Sequence, residues 1–397
     1  MSDTRKTTKP NVPNLRFPGF EGEWENKRIG DIGKFFSGGT PSSSRKDFYG
    51  GEIPFIRSGE IHSDKTELFL TQEGYKNSSA KMVEVGDILL ALYGANSGDI
   101  SISQMRGAIN QAILCIRTNV APVFFKSVWE KHAQKILNTY LQGGQGNLSA
   151  DIVKKITISI PSQIEQAKIA ALFSHLDERI SIQNRLIDRL QSLIKGIMVK
   201  LQQQGLSKGT WKRVPLSSIL KERTELNEGL LPVYSVSVSQ GVVNQMEYLG
   251  RSFAAKDTSK YHVAHFGDLI YTKSPTGSFP YGIVKQNSNR YKVAVSPLYG
   301  VYTPANYFTG VFLQEYFKSE VNTFNYLHSL IQKGAKNTIN ITNQRFLDNY
   351  ILIPTDSNDL QQISNLLLRL NAKKDLMQNM LQQYQEQKQY LLRQMFI

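Results

Sequence analysis

The sequence predicts an α+β protein in which two mostly-β domains are joined by two long antiparallel coiled-coil helices, with a pseudo-two-fold internal repeat. An apolar stripe at helical spacing occurs twice, and the second copy lies 194 residues after the first, as Ile363 does after Ile169. Each half also opens on a tryptophan, Trp24 or Trp211, that is followed five and eight residues later by isoleucine or leucine. Two copies in one register predict a duplicated unit rather than a single core helix.

The β domains are expected over residues 21–161 and 205–354, after a flexible arm over residues 1–20 that shows no periodicity. Residues 86–89 (Gly-Asp-Ile-Leu) correspond to residues 267–270 (Gly-Asp-Leu-Ile), and each set is a turn that leads into an apolar strand. The loops between such landmarks differ. A repeated frame with unlike loops favours two different ligands, or two different pieces of one ligand.

The long helices are predicted over residues 162–204 and 355–397, because their apolar positions alternate in steps of four and three, the spacing of a seam that faces another helix. Roughly forty residues at ~1.5 Å rise give each a length of about 60 Å. Packed antiparallel, the two helices would hold the domains at opposite ends of a rod. Linker signals lie at residues 143–146 and 202–209.

The seam also contains the polar residues Gln183, Lys374 and Lys388, which either fix the register of the helices or occupy solvent-edge positions. The apolar residues expected at the interface between the helices are Ile169, Phe173, Leu176, Ile180, Ile187, Leu190, Ile194, Ile197, Leu201, Ile363, Leu367, Leu370, Met377, Leu381, Leu391 and Met395.

Charge is the strongest signal in the composition. The formal net charge is +14 and the sequence pI is about 9.5, which favours an anionic polymer as partner, nucleic acid before an acidic membrane surface. No apolar run approaches the ~20 residues of a membrane span, so no membrane association is expected. The single cysteine, Cys115, excludes an intramolecular disulfide and fits a cytoplasmic location.

The motifs of common catalytic sites are missing from the sequence. There is no phosphate-binding Gly-x-x-x-x-Gly-Lys-Ser/Thr loop, no dinucleotide-binding Gly-x-Gly-x-x-Gly between a strand and a helix, and no Asn-Pro-Pro-aromatic signature of amino-methyltransferases. His262 and His265 lie three residues apart without nearby cysteine or acidic ligands, which disfavours a metal site. We therefore expect no catalytic residue and no metal.

Basic and hydrogen-bonding residues recur in the predicted loops of both halves. Lysine and arginine suit phosphates, whereas asparagine, glutamine and arginine can read base edges in a major groove. Any one of these residues alone could be ordinary solvated surface. The candidate DNA-binding residues are Arg57, Lys65, Lys76, Lys81, Tyr93, Asn96, Arg106, Gln111, Lys256, Lys260, Lys273, Ser278, Tyr281, Arg290 and Lys292.

Several of these stretches resemble one known family. Residues 15–20 (Leu-Arg-Phe-Pro-Gly-Phe), which lead to Trp24, and residues 37–41 (Ser-Gly-Gly-Thr-Pro) resemble the specificity (S) subunits of type I restriction-modification systems. Residues 86–89 and the Ile-Pro lead-in to the first long helix at residues 160–166 do so too. The resemblance covers nearly the whole chain except the arm, although no Gly-Gly-Thr-Pro follows Trp211.

The resemblance implies that each β domain is a target recognition domain for one half of an asymmetric bipartite DNA site, with the helices as spacer. It implies as partners double-stranded DNA, two methyltransferase (modification) subunits of the adenine-N6 type and ATP-driven restriction subunits. S-adenosylmethionine, ATP and Mg²⁺ would then bind to those partner subunits, and this chain would bind no cofactor and perform no chemistry.

Two other functions remain open at this point. A stand-alone bivalent DNA-binding regulator would bind its sites tightly as an isolated chain. The apolar residues that flank the seam, such as Leu186 and Leu193, argue against it because they widen the face beyond what one helix covers. An enzyme in its own right is disfavoured by the missing motifs, and activity of the pure chain would revive it.

Overall fold

The computed structural model describes residues 11–141, 147–251, 254–333 and 339–397. The first ten residues of the expected arm and the linker signal at residues 143–146 lie outside this description. Two compact units are present: Met1–Asn184 with Asn379–Ile397 form the first, and Arg185–Gln378 form the second. The first unit therefore takes its residues from both ends of the sequence.

The described part of the first unit contains ten strands and three shorter helices, and the first long helix, α4, begins in it. The strands are β1 (Glu25–Arg28), β2 (Gly33–Ser37), β3 (Tyr49–Ile56), β4 (Phe69–Leu70), β5 (Lys81–Val83), β6 (Ile88–Ala91), β7 (Ile100–Ile102), β8 (Gly107–Ile109), β9 (Ile113–Thr118) and β10 (Thr157–Ile160). The helices are α1 (Gln72–Lys76), α2 (Pro122–Leu141), α3 (Ala150–Lys155) and α4 (Gln163–Ser207).

The second unit contains the remaining elements, and the second long helix, α9, begins in it. The strands are β11 (Trp211–Pro215), β12 (Leu220–Glu222), β13 (Tyr234–Ser237), β14 (Gly241–Asn244), β15 (His262–Ala264), β16 (Leu269–Tyr271), β17 (Val284–Gln286), β18 (Val293–Val295), β19 (Gly300–Pro304), β20 (Gln332–Lys333), β21 (Ile339–Asn340) and β22 (Tyr350–Pro354). The helices are α5 (Gln245–Leu249), α6 (Tyr307–Phe317), α7 (Glu320–His328), α8 (Asn343–Leu347) and α9 (Ser357–Met395).

The two units share one sheet topology. The first has an antiparallel sheet in the order β2-β9-β6-β7, and the second has one in the order β12-β19-β16-β17. β5 pairs with β8 as β15 pairs with β18, and β1 pairs with β10 as β11 pairs with β22. The parallel pairing of the first unit recurs in the second as well, since Phe55 lies opposite Ala108 and Val233 lies opposite Ala294. The predicted α+β class and the internal repeat are confirmed.

Both faces of the central strands are buried, which explains why β6 is apolar throughout. Ile88 and Leu90 point into a core that contains Phe124 and Trp129 of α2. Leu89, on the other face of β6, packs in a second core with Ile56, Val83 and Ile109. Side chains alternate along a strand, so a strand covered on both sides needs apolar residues at every position.

The apolar seam of α4 and α9 is the buried face of both helices. Each of the sixteen apolar residues predicted for it is buried or half-buried, and none is exposed. In the first unit the rings of Phe173 and Phe396 lie 5.3 Å apart, and Asp177 lies 2.7 Å from Lys388. As the residue number rises from 173 to 177 along α4, the number of the contacting residue falls from 396 to 388. The two helices are therefore antiparallel within this unit, as predicted.

Residues 11–20, which lie in the segment predicted as an N-terminal arm, contact other parts of the first unit. The main-chain N–H of Leu15 donates to the carbonyl of Gln394 (2.9 Å), and Phe17 packs against the first core. Arg16 forms an ion pair with Glu165, whose side chain is only 1% exposed. These contacts join segments far apart in sequence, which is why local composition did not reveal them.

The linker expected at residues 202–209 is also largely helical, because α4 continues to Ser207. Gly205 allows this: a Cβ atom there would lie 2.0 Å from Cδ1 of Trp211. The helix therefore continues beneath the tryptophan that begins β11. Within the described residues, no helix is long and apolar enough to cross a membrane.

Candidate nucleic-acid interface

Several loops of the first unit meet at one end of its sheets. We call this end, formed by residues 38–48, 57–68, 77–80, 92–99 and 110–112, the first loop end. β3 and β8 run parallel and both finish there, so the main-chain N–H of Asn110 reaches the carbonyl of Ile56 (3.3 Å). The hydroxyl of Thr40 donates to Oε1 of Gln111 (2.5 Å), and Nδ2 of Asn96 donates to the carbonyl of Ser58 (3.5 Å).

Besides Tyr93, four of the predicted DNA-binding residues lie at the first loop end, namely Arg57, Lys65, Asn96 and Gln111, and Lys81 adjoins it as the first residue of β5. Lys65 and Lys81 are exposed, and their amines form no ion pair with the described residues. Gln111 uses its carbonyl oxygen on Thr40, which leaves its amide donors for a ligand. This end of the sheets thus combines unpaired cations with amide groups.

Arg57 is already engaged within its own loop. Its guanidinium lies 3.0 Å from Glu60 and 2.9 Å from Glu67. Burial opposes ionisation of Glu60, but hydrogen bonds from Arg57 and from main-chain N–H groups outweigh it and lower the pKa of Glu60 to about 2. Arg57 therefore organises the loop that follows β3.

Three other candidates of the first unit lie elsewhere or are partly covered. Arg106 is at the opposite end of the β5–β8 pair, where it forms an ion pair with Glu84 (3.1 Å). Lys76 is exposed on α1, and the ring of Tyr93 is half-buried against the first core, so burial raises the pKa of Tyr93.

The second unit has an equivalent second loop end, formed by residues 227–231, 238–240, 254–261, 272–283 and 296–299. The main-chain N–H of Asn227 donates to the carbonyl of Tyr261 (2.9 Å), and Nδ1 of His262 lies 2.9 Å from the carbonyl of Tyr299. Lys256 and Lys260 are exposed there, and neither amine forms an ion pair with the described residues.

Two of the three candidates in loop 272–283, Ser278 and Tyr281, hold that loop on α7. The hydroxyl of Ser278 donates to Glu320 (2.5 Å), and the ring of Tyr281 lies 5.5 Å from that of Phe324. Lys273 has a left-handed backbone (φ 57°), and burial lowers the pKa of its amine. These residues shape the loop, and their polar groups are partly used within the protein.

Arg290 and Lys292 lie at the opposite end of the sheets, between β17 and β18, which matches the position of Arg106 in the first unit. Lys292 forms an ion pair with Glu225 (2.9 Å), and Glu225 also contacts His265 (2.5 Å). Hydrogen bonds from Lys292 and His265 lower the pKa of Glu225. Of Arg106, Arg290 and Lys292, which lie at this opposite end of their units, Arg106 and Lys292 are therefore paired with carboxylates. The exposed lysines of the loop ends are not.

Lys46, which was not among the predicted DNA-binding residues, is exposed in loop 38–48 and forms no ion pair with the described residues. The basic pair at residues 45–46, which follows the Gly-Gly-Thr-Pro stretch after three serines, is the signal that marks it. Across the described ranges, no group of three or more His, Cys, Asp or Glu side chains has the arrangement of a metal site.

A family model matches the first part of the chain. Residues 21–192 match the Type I restriction modification DNA specificity domain. The chain is 28% identical over 185 residues to the type I restriction enzyme MjaIX specificity subunit of Methanocaldococcus jannaschii, a match that covers 42% of each chain. It is 28% identical over 187 residues to the HindI specificity subunit of Haemophilus influenzae, which covers 43% of this chain and 40% of that one.

The matched stretches thus span less than half the length of these two relatives. A solved structure is similar over far more of the chain. The type I restriction-modification system S subunit from M. genitalium superposes with a TM-score of 0.65 at 12% sequence identity, over 97% of this chain and 99% of that one. At 12% sequence identity, this similarity shows that the two proteins share a fold.

Proposed function

We propose that this chain, which belongs through residues 21–192 to the type I restriction modification DNA specificity domain family, is the DNA specificity subunit of a type I restriction-modification complex. In this role it reads an asymmetric bipartite DNA site. The observation that carries the proposal is the repeated sheet topology with two loop ends of different composition. One frame that presents two unlike sets of side chains suits two unlike half-sites.

The contacts with DNA in this proposal come from the loop ends. Unpaired lysines such as Lys81 and Lys260 contact phosphates, which positions the domain on the duplex, and amide groups such as that of Gln111 contact base edges. In this proposal, this chain selects the DNA sequence and binds the duplex. The proposal assigns it no catalytic residue.

Methylation and cleavage are assigned to partner subunits. Two adenine-N6 methyltransferase subunits would bind S-adenosylmethionine and flip the target base from the duplex, and restriction subunits would use ATP and Mg²⁺. Exposed apolar side chains along the helices, including Leu186, Leu193 and Leu376, support docking of further proteins. The same side chains favour a subunit of a complex over the stand-alone regulator.

The long helices act as the spacer. α4 passes from the first unit into the second, and α9 returns from the second unit to the first. A continuous helix is stiff because every residue in it is hydrogen-bonded to its neighbours along the axis. We infer that these helices fix the spacing of the half-sites.

Methylation mapping of the host genome, with and without this gene, tests the proposal. We expect one asymmetric bipartite motif whose adenines lose their methyl groups when the gene is removed. Replacement of residues 24–160 by those of a relative should change one half of the motif and leave the other intact. Unchanged methylation after deletion of the gene would refute the function, and methylation by the purified chain alone would refute the non-catalytic role.

A further inference from the structure

Large apolar side chains are exposed at the second loop end, and two of them are leucines. Leu230 is 78% exposed and Leu298 is 69% exposed, so water surrounds most of each side chain. Among the described residues of the first loop end, every large apolar side chain is buried or half-buried. The two loop ends therefore differ in the kind of surface that they present to a ligand.

The loop of Leu298 corresponds to the loop of Gln111 in the first unit. β8 pairs with β5 as β18 pairs with β15, and loops 110–112 and 296–299 follow β8 and β18. Gln111 carries amide donors, whereas the side chain of Leu298 has no hydrogen-bonding group. One place in the repeated frame thus presents a hydrogen-bonding side chain in one unit and an apolar side chain in the other.

The turn of Leu230 is held in a strained conformation. The backbone of Leu230 is in the left-handed region (φ 52°), which a bulky residue rarely adopts. Asn227, which is completely buried, maintains the turn. Its Oδ1 accepts from the main-chain N–H of Leu231 (2.8 Å), and its Nδ2 donates to the hydroxyl of Thr258 (3.2 Å). Backbone strain that the surrounding structure maintains is concentrated at sites that contact ligands.

The two leucine loops are anchored on adjacent residues of one chain segment. A main-chain N–H of the Leu230 turn donates to the carbonyl of Tyr261 (2.9 Å). The carbonyl of Tyr299, which follows Leu298, lies 2.9 Å from Nδ1 of His262. Both leucines are therefore carried by loops whose positions are fixed relative to each other.

The exposed lysines of the second loop end share this anchor. Lys256 and Lys260 lie two residues before and two residues after Thr258, the residue that Asn227 binds. Lysines contact phosphates and position a protein on a duplex. A duplex bound by these lysines would lie against the loops that carry the leucines, and this charge favours DNA over an apolar protein surface as the ligand.

We propose that the second loop end recognises thymine by apolar contact, with Leu230 and Leu298 against C5-methyl groups in the major groove. The inference rests on the proposed function, because it takes DNA as the ligand. Thymine presents a methyl group in the major groove where the other bases present only hydrogen-bonding groups. An aliphatic side chain forms no hydrogen bond, so it distinguishes thymine by that methyl group.

Replacement of thymine by uracil tests this, because it removes only the methyl group and keeps the base pair. The half-site of the second unit is the one that stays unchanged when residues 24–160 are exchanged. Each thymine of that half-site is replaced in turn, and fluorescence anisotropy measures binding by the complex with its methyltransferase. We expect replacement to weaken binding about fourfold at the contacted positions, which is the effect of one buried methyl group. The same replacements in the other half-site should change binding little.

Leu230→Ala and Leu298→Ala connect this effect to the two side chains. Each should weaken binding of the thymine duplex about fourfold and leave binding of the corresponding uracil duplex unchanged, because the methyl group has lost its partner. Phe266→Ala is the matched control, since this exposed apolar side chain lies between β15 and β16, at the opposite end of the sheets. It should not alter the ratio of the two affinities.

The outcomes separate this inference from the proposed function. Uracil duplexes that bind as tightly as thymine duplexes at every position of the second half-site would overturn the inference alone. If the two leucine variants weaken both duplexes equally, the leucines contact DNA elsewhere, as a wedge between base pairs does, and the inference is wrong. It is also wrong if the variants weaken only association with the methyltransferase. A complex without preference for any DNA sequence contradicts the proposed function and the inference with it.

Discussion

The guanidinium of Arg16 holds the carboxylate of Glu165 through two hydrogen bonds, of 2.7 and 2.8 Å. The same guanidinium donates to the carbonyls of Glu21 and Gly22, so one side chain joins the N-terminal segment to the first turn of α4. This pair fixes how the chain approaches Trp24, whose ring is buried in the first core.

Loss of this pair should be costly because Glu165 would keep a buried charge. Arg16→Ala is expected to lower the free energy of unfolding by about 3 kcal/mol. The double variant Arg16→Ala/Glu165→Gln should recover part of that loss, since it removes the charge as well. Urea titrations of the three proteins measure both values, and a single variant as stable as wild type would contradict the role of the pair.

Two glycines of α4 should respond in opposite ways to alanine. Gly205→Ala places a Cβ atom against the ring of Trp211 and should destabilise the protein by about 2 kcal/mol. Gly196 has open space around it, so Gly196→Ala should stabilise the helix by about 0.5–1 kcal/mol. Thermal unfolding measures the difference, and a tolerated Gly205→Ala would mean that the ring moves freely.

Because of the ion pair of Glu60 with Arg57, the free energy of unfolding should depend on pH in the acidic range. The pKa of Glu60 is about 2 in the folded protein and 4.5 in the reference state, so its contribution is present in full above pH 4.5 and is lost as the pH falls toward 2. After allowance for screening at the 41% exposed Arg57, this contribution is about 2 kcal/mol.

Glu60→Gln is the test of that dependence. Its free energy of unfolding should lie below that of wild type at pH 7, and the two should converge as the pH drops below 4. Denaturant titrations from pH 7 to 3 follow the difference. A constant difference across this range would show that Glu60 acts through packing rather than through its charge.

The two ends of the β5–β8 pair should differ in DNA binding. Lys81 is unpaired next to the first loop end, and Arg106 is paired with Glu84 at the other end. Lys81→Ala should reduce the slope of log K against log salt by about one, whereas Arg106→Ala should change it little. Fluorescence anisotropy with the methyltransferase complex provides the measurement, and a larger effect of Arg106→Ala would place the DNA at the opposite end.

The seam and the repeat could be predicted because they are periodic. The apolar residues from Ile169 to Leu201 recur every three or four positions, and this spacing is set by the geometry of the helix itself. The partners of Arg16 and Lys388 could not be predicted, because an ion pair between distant segments leaves no periodic signal. Lys388 was expected either to fix the register or to lie at the solvent edge, and it forms ion pairs with Glu130 and Asp177.

The candidate interface was predictable in composition but not in arrangement. Residue types alone did not separate Lys81 from Arg106, since strand order decides which loops share an end of the sheet. Ser278 and Tyr281 were expected to contact DNA directly, yet their contacts with Glu320 and Phe324 hold a loop on α7. Whether these two residues also touch DNA stays a prediction.

The first core includes Leu392, Met395 and Phe396, which follow the whole second unit in the sequence. A ribosome therefore makes most of that core early and supplies these three buried side chains only after the whole second unit has been made. Until then Phe173 and Phe124 lack the ring of Phe396 that covers them. A nascent chain that stalls before this stretch would expose an apolar surface, which marks it for chaperones or proteases.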